Sequence, residues 1–163
     1  MRATATASGS VSRAVGRGNI PAEIRALTSV ERIDYGDWFT LSTEIDATPE
    51  QWARAMFGAV PNVAERLIWR GLLGMRLRSG RSPATVAGWP IGAGGHSWVR
   101  LDNGSWFLTA HLLVDTADGR VSLGTFVQYD RPVADVVWPA LSVLHRRLVP
   151  GLLLSAATAL GRG

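Results

Sequence analysis

One run near the C-terminal end constrains the rest of this chain: Asp130 to Leu160, which reads DRPVADVVWPALSVLHRRLVPGLLLSAATAL. At about 3.6 residues per turn, Val133, Val136, Val137, Ala140, Leu141, Leu144 and Leu148 share one face, while Asp135, Ser142 and Arg146 share the other. The spacing predicts one long helix, and its apolar face needs a partner. Pro132 suits a first helical turn, where no amide donor is required, and Asp130 stands where it would cap the free N–H groups. Pro139 and the pair Pro150-Gly151 each interrupt the hydrogen-bond ladder, so two kinks are expected to curve the helix around something. Arg147 falls beside Val136 and Leu144 by helical angle. It either reaches outward along its aliphatic stem or sets a guanidinium at a cavity edge.

The partner is legible just upstream. Three β-favouring runs, His96–Leu101, Ser105–Asp115 and Arg120–Asp130, are separated by Asp102-Asn103-Gly104 and Ala117-Asp118-Gly119. Asn-Gly and Asp-Gly adopt the positive backbone angles of tight hairpins at little cost, so these runs predict an antiparallel meander. Alternation places Trp106, Leu108, Ala110, Leu112 and Val114 on one face of the middle strand. It places Val121, Leu123, Thr125, Val127 and Tyr129 on one face of the last, and both faces are expected to meet the helix. His111 and Thr109 fall on the opposite, wetter side, which makes His111 a surface residue. Tyr129 points inward, and its hydroxyl needs a partner or a polar ligand.

Earlier in the chain, Asp34–Ile45 alternates as a half-buried first strand. Thr48-Pro49-Glu50-Gln51 is a capping-box opening for a helix that runs to about Gly58, with Trp52, Met56 and Ala59 or Val60 on its inner side. A second helix is expected from Asn62 to about Arg78. Ser79–Gly95 is rich in glycine and proline and reads as a loop with a short strand at Thr85–Ile91; its glycines do not match a dinucleotide fingerprint. Ile20–Glu31 predicts a short helix or turn. Met1–Asn19 is small, polar and dotted with arginine, and reads as a disordered arm.

A chain of 163 residues with 47% hydrophobic content is long enough for one domain, expected over residues 20–163. Cysteine is absent, which removes disulfide and thiolate chemistry. The three histidines lie far apart without ligand spacing, so neither a metal nor another cofactor is expected. All 17 basic residues are arginine, which excludes Schiff-base and P-loop lysine chemistry. The most apolar stretch carries Asp135, His145, Arg146, Arg147 and two prolines, a poor membrane span, so a cytoplasmic protein is expected.

The order of strand, two short helices, loop, antiparallel strands and long terminal helix resembles the helix-grip plan of the START-like polyketide-cyclase and lipid-transfer (SRPBCC) superfamily. Within it, TPEQWARAMF at Thr48–Phe57 and FVQYDRPVADVVWPALSVLHRRLVPGLLLSA at Phe126–Ala156 resemble the bacterial domain-of-unknown-function 2867 family, including His145, Arg146, Val149 and Pro150 of its terminal helix. The likeness extends over roughly Asp34 to Leu160. Where members often carry a charged turn into the middle strand, this chain has Asn103-Gly104-Ser105-Trp106. The resemblance implies an α+β helix-grip fold, an antiparallel sheet packed on a long kinked C-terminal helix. It also implies a cavity between them for an apolar small molecule.

Three readings of function follow. The first is a non-enzymatic carrier or sensor of a hydrophobic small molecule, with walls from Trp106, Leu108, Leu112, Phe126 or Val127, Tyr129, Leu141 and Leu144, and Arg147 as polar anchor. The second is a cyclase-like or hydrolytic enzyme using His145 beside Arg146 and Arg147, with Asp130, Asp135 or Tyr129 as partner. The third is peripheral contact with an anionic membrane or a protein partner through Arg66, Trp69, Arg70, Leu73, Arg76 and Leu77. No nucleic-acid partner is expected, because the arginines are scattered and no recognition motif surrounds the aromatics.

Overall fold

The computed structural model describes residues 9–58 and 67–163. It has an α+β architecture built on a seven-stranded, wholly antiparallel sheet in the order β1-β2-β7-β6-β5-β4-β3. The strands are β1 Ser12–Val15, β2 Tyr35–Ser42, β3 Thr85–Val86, β4 Trp89–Gly94, β5 Trp98–Gly104, β6 Leu108–Asp115 and β7 Arg120–Tyr129. The helices are α1 Ala22–Arg25, α2 Pro49–Phe57 and α3 Ala134–Leu160. A single 3₁₀ turn spans Arg17–Asn19 and a π-helical segment spans Leu67–Leu72. The stretch expected to be a loose arm therefore contributes an edge strand, with Ser12 opposite Thr40 and Val15 opposite Asp37. Its small, polar residues satisfy an edge position, where one side of the strand needs no apolar cover.

From β2 the chain crosses one face of the sheet through α2 and the π-helical segment. It re-enters at the far edge as β3 and meanders back until β7 lies against β2. The expected turn at Asp118-Gly119 is present, with both residues at positive φ (55° and 69°). The other hairpin turns later than Asn103-Gly104 suggested. β5 continues through Gly104, and Ser105 closes the turn instead: its amide donates to the Leu108 carbonyl and its Oγ accepts from the Phe107 and Leu108 amides.

Helix α2 starts as its sequence dictates. Thr48 Oγ1 accepts from the Gln51 amide at 3.1 Å and Gln51 Oε1 accepts from the Thr48 amide at 2.8 Å, with Pro49 in the first turn. Trp52, Ala53, Met56 and Phe57 are buried, and Gly58 ends the helix at φ 79°. Ala59 and Val60 lie outside the described residues. The next predicted helix, Asn62–Arg78, is corrected over its second half. The π-helical segment ends at Leu72 and the chain turns at Gly74 (φ 65°), with the Met75 amide donating to the Trp69 carbonyl across the turn. Beyond it Leu73, Met75 and Leu77 are buried while Arg76 and Arg78 are exposed, a period of two rather than 3.6. The Arg76 and Arg78 amides donate to Gly104 and Gly88, so this stretch behaves as extended chain laid along the strands.

Helix α3 runs 27 residues through Pro139 and Pro150. Its buried stripe is Ala134, Trp138, Ser142, Val149, Leu153, Ala156 and Ala157, rotated from the predicted one. Val136 is 74% exposed and Leu148 51%, with Val133 and Leu144 also exposed. Ser142, assigned to the wet side, is buried because its hydroxyl donates to the Pro139 carbonyl and accepts from Arg146. The cap is corrected too. Val133 occupies the N-cap without a side-chain bond, whereas Asp130 accepts from the Thr109 hydroxyl at 2.7 Å and the Gln128 amide at 2.8 Å.

Both faces of the sheet are covered. Phe39, Leu41, Leu101, Leu108, Val114, Val121 and Leu123 form the main core with α2 and α3. On the other face Ile20, Ile24, Leu27, Val30 and Ile33 of the N-terminal segment cover Leu113, Phe126, Trp38 and Trp98. His111, expected at the surface, is 4% exposed beneath that cover. Its Nδ1 pairs with the Thr28 hydroxyl at 2.8 Å, and Arg100 ties the same cover down by donating to the Leu27 carbonyl at 2.8 Å and gripping Asp102 at 2.7 and 2.9 Å.

Candidate functional site

Between the α2/α3 side of the sheet and the helices lies an apolar groove of about 450 Å³. Ala110, Leu112 and Leu123 form its floor, Leu141, Leu144 and Leu148 of α3 one side. The opposite side is aromatic: Phe57 meets Trp69 edge-on at 6.2 Å, and Trp69 meets Trp89 at 5.5 Å. The groove accounts for the C-terminal part of the misplaced helical stripe, while Val133 and Val136 are exposed away from it. Leu144 and Leu148 are exposed because they border open space instead of a filled core.

One stretch of the groove wall is polar. His145 borders the groove, with Nε2 3.0 Å from Thr125 Oγ1 and 3.0 Å from Asp37 Oδ2. Asp37 is completely buried, and its Oδ2 also accepts the Tyr35 hydroxyl at 2.6 Å. Burial, and then the charge of Asp37, push the Tyr35 phenol well above its ordinary value, so it stays protonated and donates. The Trp138 ring packs edge-on against Tyr35 at 5.3 Å and lies 5.6 Å from the His145 ring. The Arg146 guanidinium sits 6.0 Å from the Tyr35 ring centre. Three buried polar atoms of this neighbourhood lack a hydrogen-bond partner: Asp37 Oδ1, Trp138 Nε1 and, on the aromatic side, Trp89 Nε1. Unpartnered buried donors are costly, and although Trp89 and Trp138 line the groove, both indole nitrogens are enclosed in the packing rather than open to it.

The predicted site residues divide. Leu112, Leu141 and Leu144 line the groove. Leu108 and Val127 are buried in the adjoining core without bordering it, and Phe126 faces the other side of the sheet. Trp106 is 65% exposed on the β5–β6 turn, against Phe107. Tyr129 is half-buried beside a shallow polar cleft with Arg32, Asp34 and Asp135. Arg147 is exposed and does not border the groove; the polar side chains that line it include His145, Thr125 and Ser155. For His145 the carboxylate partner is Asp37, not Asp130 or Asp135, and the tyrosine is Tyr35, not Tyr129. Asp37 did leave a signal in the sequence. It is in phase with Phe39 and Leu41 on β2, a charge on a face that alternation marks as buried.

The residues proposed for membrane contact do not share an exposed face. Trp69, Leu73 and Leu77 point into the fold, Arg70 donates to the Leu77 carbonyl, Arg76 is exposed and Arg66 lies outside the described residues. Among the described residues no helix is long and apolar enough to cross a membrane, and no three His, Cys, Asp or Glu side chains gather as a metal site. Compared with known protein families, curated proteins and solved structures, the chain finds no match.

Proposed function

We propose that this is a helix-grip domain, related to the START-like superfamily and the domain-of-unknown-function 2867 family, that binds a hydrophobic small molecule or lipid between sheet and C-terminal helix. The observation that carries the reading is the open apolar groove itself, walled by leucines and tryptophans on elements that are otherwise tightly packed. The sheet order, with β2 beside β7 and α3 lying over both, supports the helix-grip assignment. The polar side chains of His145, Thr125 and Ser155 on the groove wall support a ligand that carries at least one polar group on an apolar body.

Native mass spectrometry of protein purified from its own host tests this, followed by displacement of an apolar fluorophore with the host's lipid extract. A retained mass, or displacement by the extract, is expected. Protein at its own mass that neither takes up the fluorophore nor responds to the extract would remove the reading.

A further inference from the structure

Resting on that reading of the groove, we infer that His145 is a general base, positioned by Asp37, that moves a proton on an apolar carbonyl compound held there. A carboxylate with no solvent access, on the apolar face of a sheet, is retained only at considerable cost. Here its Oδ2 does two things: it accepts the Tyr35 hydroxyl and faces Nε2 of His145 at 3.0 Å. An Nε2–H donated to Asp37 leaves the lone pair on Nδ1, and Nδ1 has no hydrogen-bond partner among the described residues. A base held by a third group, with its other nitrogen free beside an apolar cavity, is the arrangement general-base chemistry requires.

Trp138 lines the groove beside His145 and packs against its ring at 5.6 Å, which helps to hold the imidazole in place. The step then balances without a co-reactant. Nδ1 takes a proton from the carbon next to the carbonyl, and the C–H electron pair forms the enolate double bond. Charge collects on the carbonyl oxygen, and in a compound with a C=C bond next to the deprotonated carbon the dienolate so formed takes the proton back from the imidazolium at the far end of that bond, whose position shifts into conjugation with the carbonyl. The net change is an isomerisation. Tyr35 of β2 and Arg146 of α3 are the other ionisable groups at this cluster, and they touch each other rather than the groove.

The test uses nitrobenzisoxazole, an apolar probe whose ring opens when a base removes its C–H proton: the N–O bond breaks and a coloured nitrophenolate forms. The intact protein is expected to bind it saturably and open it. His145→Gln should lower kcat at least about 100-fold while the probe still binds. Asp37→Asn should lower kcat with KM unchanged, as a positioning residue does and a merely structural one does not. If Asp37→Asn fails to fold, as its melting curve would reveal, the His145 variant decides the matter. Saturable binding with a rate equal in wild type and His145→Gln overturns the base while leaving the groove reading intact. Absence of binding overturns both.

Discussion

Gly124, at the centre of β7, shows how tightly the second face of the sheet is closed. A Cβ there would lie 2.7 Å from Cε3 and 2.8 Å from Cζ3 of Trp38, and 3.0 Å from the Phe126 ring, atoms of rigid groups packed under the N-terminal cover. Gly124→Ala should therefore cost about 1–3 kcal/mol, read as a lower urea midpoint, although alanine suits a strand better than glycine. An unchanged midpoint would mean that the indole moves aside freely. His111, under the same cover, carries a pH prediction. Burial lowers its pKa from the ordinary 6.5, with Arg100 assisting and Asp102 opposing. Below 6.5 the unfolded chain takes up a proton that the folded chain refuses, so stability is present above that value and is lost as pH falls towards the depressed one. Melting temperatures in neutral and mildly acidic buffer should diverge less in His111→Gln than in wild type. His111 was not assigned to its place from sequence, because alternation assigns a residue to a face but does not say that a segment as distant as Thr28 covers that face.

At the scale of elements, what local chemistry dictates was legible. The capping box at Thr48 and Gln51 and the positive-φ pair Asp118-Gly119 each specify their structure within four residues, and both are present. The stretch Leu73–Arg78 was not, because Leu73 and Leu77 satisfy a helical repeat as readily as Leu73, Met75 and Leu77 satisfy a strand repeat. Gly74 decides between them by ending the turn. In α3 the error was one of phase. An open groove leaves apolar residues exposed, so hydrophobicity no longer marks the packed stripe, which here follows small residues such as Ala134, Ser142 and Ala156. Gly151 offers a direct check on this helix. It is exposed, and a Cβ there meets nothing within 4 Å. Gly151→Ala should stabilise by about 0.5–1 kcal/mol and raise the melting temperature by about 1–4 °C, measured by thermal unfolding with fluorophore binding retained.

For the molecule as a whole, the groove is a part of the α2/α3 side that the core leaves unfilled, so filling it should separate binding from folding. Leu112→Trp extends a side chain from the floor into a space of about 450 Å³. It should abolish uptake of an apolar fluorophore while leaving the unfolding midpoint within about 1 kcal/mol of wild type. A drop in both would mean that Leu112 belongs to the packed core and the space is not free. The pairing of β2 with β7 has a further consequence, for synthesis. Thr40 and Ser122 bond although they stand 82 positions apart in the chain. A ribosome-bound chain halted before Arg120 has made β2, α2 and the meander up to β6, but has nothing to lay against β2's inner edge or over the tryptophans of the groove. Those side chains stay uncovered until β7 and α3 are made, and nascent chains tethered through a C-terminal linker long enough to carry α3 past the exit tunnel should be protease-resistant, whereas chains that stop before Arg120 should not.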